Sequence, residues 1–291
     1  MIVKKFFKKG YFMTDIKLVA LDLDGTLFNS NGKITEKTRQ EIKRITDKGV
    51  HVVISTGRPY NGVPFEQIKG LGIDYAITTN GAAIYQISTN KCIYENCMDF
   101  DIAGPIIEFL VSKEIHIDTY IDGEGFTPER CRKDLVRLPL EGAMKEYILA
   151  TRTPVEDLYS YVRDCGKKVQ KMTLNFYPQP DGTRLHREEV RLFLEANPAI
   201  ETVCGGFSNL EFSKAGVNKG EGLLHLAELL SVPAEATMAI GDSGNDYSIV
   251  KAAGIGVAMD NASDDIKEIA DYITTSNEED GVGVAIAHFI P

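Results

Sequence analysis

Two aspartates one residue apart, Asp22 and Asp24 in Asp22-Leu23-Asp24-Gly25-Thr26, stand directly after an apolar run from Ile16 to Leu21. On extended backbone that spacing projects both side chains to the same side. One carboxylate can then attack an electrophile while the other exchanges protons with the leaving group and the incoming water. Two distant groups have a similar setting, Thr56 in Ser55-Thr56-Gly57-Arg58-Pro59 and Asp242 in Gly241-Asp242-Ser243-Gly244-Asn245-Asp246, and Lys219 in Gly216-Val217-Asn218-Lys219-Gly220 precedes a helix that leads into the strand before Asp242. Crowded carboxylates call for a cation, and hard oxygen donors in a chain with few histidines favour Mg²⁺. Such a cation recruits phosphate oxygens, which points to phosphoryl transfer. Attack by Asp22 on phosphorus would give an acyl phosphate and split one hard displacement into two easier ones. The Thr56 hydroxyl, the Lys219 ammonium and the amides around Leu23 and Gly25 are the fixed donors that the spreading negative charge requires.

Each piece alone has an ordinary reading. Asp-x-Asp-Gly-Thr is also a fragment of a calcium loop, but the glutamate that completes such a loop is absent and an apolar strand precedes it. Ser-Thr-Gly-Arg-Pro is a turn before a helix, Lys219 a solvated helix-start lysine, and Gly-Asp-Ser-Gly-Asn-Asp a loop with an Asx turn. Their shared placement at strand ends carries the argument, because reactive groups of an open parallel sheet gather at the carboxyl ends of its strands.

The elements that must position them follow from periodicity. Ile16 to Leu21, Val50 to Ile54 and Asp74 to Thr78 are short apolar runs ending in turn residues, as buried parallel strands do. Between the first two, Thr35 to Lys48 carries Ile42 and Ile45 on one face, with Thr35 as N-cap and Gly49 just past the end. After Gly81 the rhythm changes. Ala83 to Tyr94 reads as a hairpin around Ser88-Thr89-Asn90, Pro154 to Asp164 as a helix, and Leu174 to Tyr177 and Glu201 to Phe212 as strands. The alternating pattern resumes near Val217, with a helix over Lys219 to Leu230, strands over Ala236 to Ile240, Ile255 to Met259 and Tyr272 to Thr274, and a helix over Ser263 to Ala270. The expectation is an α/β fold: a Rossmann-like parallel-sheet core over 14–85 and 214–291, an α+β insertion over 86–213, and a leader over 1–13.

A net charge of -10 excludes a broad nucleic-acid surface, which needs a clustered positive field. The five cysteines, Cys92, Cys97, Cys131, Cys165 and Cys204, contain no Cys-x-x-Cys pair and fit reduced thiols in a cytoplasmic protein. The basic stretch Met1 to Met13 lacks the apolar centre of a signal peptide and is too short to span a membrane. No membrane partner is expected, and oligomeric state is not readable.

The four motifs resemble those of the haloacid dehalogenase (HAD) superfamily, in particular its Cof-type phosphatases with a large C2-type cap. Asp22 to Thr26 is similar to the first motif, Thr56-Gly57-Arg58 to the second, Lys219 within Gly-Val-Asn-Lys-Gly to the third, and Gly241 to Asp246 to the fourth. Ile249 stands where methionine or leucine is more usual. The resemblance implies Asp22 as nucleophile and Mg²⁺ ligand, Asp24 as general acid/base that also meets the metal through its carbonyl, and Asp242 as the remaining metal ligand. It implies phosphate binding by Leu23, Gly25, Thr56, Gly57, Lys219 and Asn245, support from Asp246, and a place for Asn80 at the substrate. The implied substrate is a small phosphorylated metabolite, either a sugar phosphate or a phosphorylated cofactor. The insertion would be the cap that selects the leaving group, with Asp122, Glu124, Arg130 and Arg132 as candidate readers or, equally, as solvated loop charges.

Three rival functions share parts of this set. A sugar phosphomutase would use the same nucleophile but release no phosphate. A signalling receiver module also combines Asp, Mg²⁺ and Lys, but needs no large insertion. A non-catalytic phosphometabolite sensor would not need Asp24.

Overall fold

A computed structural model describes residues 15–140, 142–203 and 209–291; the leader over 1–13 and Cys204 lie outside the described residues. The described residues open with strand β1 (Leu18–Leu21), helix α1 (Glu36–Asp47), β2 (His51–Ser55), α2 (Phe65–Ile68), β3 (Tyr75–Thr78), β4 (Ala83–Gln86) and β5 (Lys91–Glu95). There follow α3 (Phe100–Val111), β6 (His116–Ile121), β7 (Glu124–Pro128), α4 (Glu129–Asp134), α5 (Gly142–Thr151), β8 (Arg152–Val155), α6 (Leu158–Cys165), β9 (Val169–Asn175), α7 (Arg187–Glu195), β10 (Ile200–Val203) and β11 (Leu210–Lys214). The last part comprises α8 (Lys219–Leu229), β12 (Thr237–Gly241), α9 (Tyr247–Ala252), β13 (Ile255–Ala258), α10 (Asp264–Ile269), β14 (Tyr272–Ile273) and α11 (Gly281–Phe289).

The described residues form two compact units. The first holds the segment ending at Gly57, Pro64–Ile93 and Asn218–Pro291. Its sheet has the order β14-β13-β12-β1-β2-β3-β4-β5, parallel from β14 to β3, with β4 antiparallel to β3. Strand order runs outward in both directions from the β12–β1 pair, so that pair is the topological switch point where open α/β sheets place their ligands. The register aligns Leu21 with Ile240 on one side and with Ile54 on the other. Asp22 therefore emerges level with Ser55 and Gly241, one step short of Thr56 and Asp242. All four residues of β1 are buried, as a strand covered on both faces must be. Helix α1 starts where expected, with Thr35 accepting a hydrogen bond from Thr38 N, and buries Ile42 and Ile45.

The second unit holds Arg58–Val63 and Tyr94–Val217. Its sheet has the order β10-β11-β9-β6-β7-β8, antiparallel except for the β7–β8 pair. One face packs Ile117, Met172, Leu174, Leu210 and Phe212 against α3, α6 and α7. These limits differ from the expected 86–213. The β4–β5 hairpin extends the first sheet, so Cys92 is a core-sheet residue and not part of the insertion. Arg58–Val63 joins the second unit because Asn61 N donates to Gly123 O at 2.9 Å and Asn61 Nδ2 to Glu124 Oε2 at 2.7 Å. The helix expected from Pro154 begins instead at Leu158, capped by Asp157, because Arg152–Val155 pairs in parallel with β7.

Candidate active site

Asp22 leaves the end of β1 with its amide donating to Ile240 O of β12 at 3.2 Å. The chain then turns sharply: Leu27 N returns to Asp22 O and Phe28 N to Leu23 O. Gly25 makes the turn possible. Its φ is +85°, and a Cβ there would lie 2.5 Å from Asp242 Oδ2, so only glycine allows this loop to lie against the loop after β12. Thr26 seals the contact by donating to Asp242 Oδ1 at 2.7 Å, and Asn261, after β13, donates to Gly25 O at 2.8 Å.

Lys219, the first residue of α8, is fully buried, and its ammonium lies 2.6 Å from both Asp22 Oδ1 and Asp246 Oδ1. The other oxygen of Asp246 accepts from the amides of Asp242 at 3.0 Å and Ser243 at 3.1 Å. Both Asp246 oxygens are thus engaged in fixing Lys219 and the Asp242 loop. Asn245 Nδ2 reaches Asn80 Oδ1 at 3.4 Å. Thr56 is buried, takes Ile77 O with its amide at 2.9 Å and offers its carbonyl to Asn80 N at 3.1 Å. Asp24 is exposed.

The electrostatics are those of acids held close together. Burial, with Asp246 and Asp242 nearby, raises the Asp22 carboxyl well above its ordinary value despite Lys219. Burial likewise pushes Asp242 up to about 6, against the Thr26 hydrogen bond that lowers it. Burial alone would lower the Lys219 ammonium, but the Asp22 and Asp246 charges outweigh it and hold Lys219 above its ordinary value. Carboxylate oxygens of Asp22, Asp242 and Asp246 lie within 4.8 Å of one another, a set able to hold a metal ion. Within this set Asp246 has both oxygens engaged by Lys219 and two loop amides, while Asp22 and Asp242 each use one oxygen, toward Lys219 and Thr26 respectively. Their hard oxygen chemistry fits Mg²⁺.

The structure thus brings Asp22, Asp242, Asp246 and Lys219 into direct contact, and Asn80 to Asn245. Thr26 and Asn261 were not singled out from the sequence. Thr26 sits inside the first acidic motif, and Asn261 follows an apolar strand, so strand-end placement was the signal for both. In the second unit, Arg130 donates to the carbonyls of Ile115 and Val111, and Arg132 to those of Leu149 and Arg152. Asp122 pairs with Lys167 and occupies the left-handed first position of the β6–β7 turn. These three side chains hold backbone and turn.

Residues 19–286 match the model of the haloacid dehalogenase-like hydrolase family. The chain is 32% identical over 277 residues to 5-amino-6-(5-phospho-D-ribitylamino)uracil phosphatase YcsE of Bacillus subtilis, covering 95% of this chain and 96% of that protein. It is 30% identical to phosphatase YwpJ of the same organism, covering 94% and 100%. Among solved structures, a haloacid dehalogenase-like hydrolase from B. subtilis superposes with a TM-score of 0.80 at 29% identity, covering 94% of this chain and 99% of that one. No helix among the described residues is long and apolar enough to cross a membrane. The chain belongs to the haloacid dehalogenase-like hydrolases and is an enzyme of the phosphatase class of that family.

Proposed function

We propose that the protein hydrolyses the phosphomonoester of a small metabolite by forming an aspartyl phosphate on Asp22. The observation that carries this reading is the grip of Lys219 on Asp22. Lys219 holds Oδ1 at 2.6 Å, which fixes the carboxylate at the sheet's switch point with Oδ2 as the attacking oxygen. In the first step Oδ2 bonds to phosphorus, the bond to the ester oxygen breaks, and the Asp24 carboxyl gives its proton to the departing alkoxide. In the second, Asp24 takes a proton from water as the water oxygen bonds to phosphorus and the bond to Asp22 breaks, releasing inorganic phosphate. Exposed Asp24 suits this exchange with the leaving group and solvent.

Lys219, the Thr56 hydroxyl and the amides of Leu23, Gly25 and Gly57 hold the phosphoryl oxygens, and Asn80 and Asn245 line the same place. Asp246 keeps Lys219 charged and the Asp242 loop in place. Asp22, Asp242 and the Asp24 carbonyl would hold Mg²⁺, which would supply positive charge to the phosphoryl oxygens. The second unit acts as the cap that selects the leaving group, a role supported by its insertion between Thr56 and Lys219 in the chain.

Sugar, polyol and cofactor phosphates are the substrate classes, the second supported by the phosphoribityl compound in the name of the B. subtilis relative. A cytoplasmic setting fits the thiols of Cys131 and Cys165, which donate to backbone carbonyls. The test is a Mg²⁺-supported phosphate-release screen over sugar, polyol and cofactor phosphates, read as kcat/KM. Stoichiometric phosphate release supports hydrolysis; isomerisation without release would assign the nucleophile to a mutase, and binding without turnover would make the protein a sensor.

A further inference from the structure

Strand β3 ends in a turn with three successive residues in the left-handed region: Thr79 at φ 49°, Asn80 at 58° and Gly81 at 100°. Threonine is β-branched and rarely adopts this conformation, so such a turn persists only where its surroundings over-determine it. Thr79 and Asn80 are both buried, and the Thr79 hydroxyl, shut away from solvent, has no hydrogen-bond partner among the described residues. Those costs buy no ordinary hairpin, because β4 could follow β3 through an unstrained turn.

Gly81 shows what the turn rests against. A Cβ at this position would lie 2.1 Å from the carbonyl oxygen of Asn218, 2.6 Å from its carbon and 3.2 Å from Lys219 N. All three are backbone atoms, so no flexible side chain can yield. Asn218 is the N-cap of α8: its side chain accepts from Glu221 N at 3.0 Å and its carbonyl from Gly222 N at 3.1 Å. Gly222, one turn into the helix, faces the same place, with a Cβ there 3.1 Å from Gly81 Cα and 2.8 Å from Ile77 Cγ2. Glycine on both sides brings the β3 turn and the first turn of α8 into backbone contact. The middle residue reaches two more loops, through Asn80 N to Thr56 O and through Asn80 Oδ1 to Asn245 Nδ2.

We infer that the Thr79–Asn80–Gly81 turn is a positioning wedge for the phosphoryl-transfer site, with Gly81 as the positioning residue that sets the backbone of Lys219. Lys219 begins the helix whose cap rests on Gly81, and its ammonium has to meet two carboxylates at 2.6 Å each. A methyl at residue 81 forces Asn218 and Lys219 away, and the ammonium cannot then satisfy both partners from the displaced backbone. The same wedge holds Thr56 and Asn245, so a single strained turn sets the loops after β2 and β12 together with the start of α8.

This inference rests on the proposed phosphatase reading, so turnover of an aryl phosphate by the wild-type chain is measured first; its absence would fail that reading and not this one. The test then compares Gly81→Ala with Gly254→Ala in the full chain. Gly254 is likewise confined by backbone, with a Cβ placed 2.4 Å from Glu235 O though without the positive φ of Gly81, and it precedes β13 at the opposite end of the sheet from the strand termini that carry the site. Both variants are expected to melt at lower temperature. At a temperature where both are folded, Gly81→Ala is expected to lose at least about 30-fold in kcat and to bind the product analogue inorganic phosphate more weakly, while Gly254→Ala stays within about threefold of wild type. Equal kcat losses in the two variants, or unchanged phosphate binding in Gly81→Ala, overturn the inference. Should Gly81→Ala not fold, Thr79→Gly replaces it: this change relaxes the turn without adding an atom. Relief of backbone strain offsets part of the stability lost with the buried side chain, so the variant is expected to fold yet to lower kcat severalfold, and wild-type kcat in that variant overturns the inference.

Discussion

Lys219 Nζ and Asp22 Oδ1 lie 2.6 Å apart, with the lysine side chain wholly buried and that of Asp22 8% exposed. Removing one member of a buried ion pair costs about 3–5 kcal/mol, because the remaining charge is left without a partner. Here two carboxylates, Asp22 and Asp246, would be left. Lys219→Met is therefore expected to lose turnover and also to destabilise the fold by at least that range in denaturant titration. A variant as stable as wild type would show that the pair is solvated.

Asp24 stands apart from this buried set. Asp24→Asn should fold normally and turn over about 10²- to 10⁴-fold more slowly, the usual loss when acid/base help is withdrawn. The loss should be smaller for an aryl phosphate with a good leaving group than for an alkyl phosphate, which needs the proton more. An equal loss for both would remove the general-acid role.

The crowded carboxylates at the β1 and β12 ends predict dependence on a divalent cation. Exhaustive chelation should abolish phosphate release, and added Mg²⁺ should restore it without refolding. Activity that survives chelation would contradict the assignment of Asp22 and Asp242 as ligands.

A pH dependence of stability comes from the second unit. Asp118, on β6, accepts from Arg152 Nε at 3.1 Å and lies 3.1 Å from His116 Nε2. Burial would raise its carboxyl, but His116 and Arg152 outweigh burial and hold it at about 2, below its ordinary value of 3.8. A depressed folded-state value means stability that is fully present above the unfolded value and lost as pH falls toward 2. The depression corresponds to about 2 kcal/mol. In denaturant titrations, the stability gap between wild type and Asp118→Asn should narrow as pH is lowered from 4 to 2. A constant gap would mean that Asp118 is not held ionised by these partners.

How far the sequence revealed all this depended on burial. The apolar runs at β1, β2, β3 and β12 stood out because parallel strands are covered on both faces, and the acids at their ends stood out by contrast. Strand β6 did not, since His116, Asp118 and Thr119 are polar yet buried, and nothing local shows that Arg152, far along the chain, neutralises Asp118. Helix α3 was hidden by Pro105 in its interior. The position of α6 turned on a parallel pairing of β8 with β7, a non-local contact that reversed the local reading of Pro154. At the site, the residue types were legible, and the family resemblance left open whether Asp246 holds Lys219 or the phosphate. Asp246 proves to be the partner of Lys219 and of two loop amides, a role fixed only when α8 is brought against the loop after β12.

Turnover through Asp22 requires that phosphorus become bonded to its carboxylate. The direct measurement is rapid quenching during turnover of a phosphomonoester, followed by borohydride reduction, which converts an aspartyl phosphate to homoserine, and peptide mass spectrometry. Homoserine is expected at residue 22 in the wild-type chain, dependent on substrate and absent from Asp22→Asn. Burst-level turnover with no modification at residue 22, or the modification at Asp24 or Asp242 instead, would contradict this expectation.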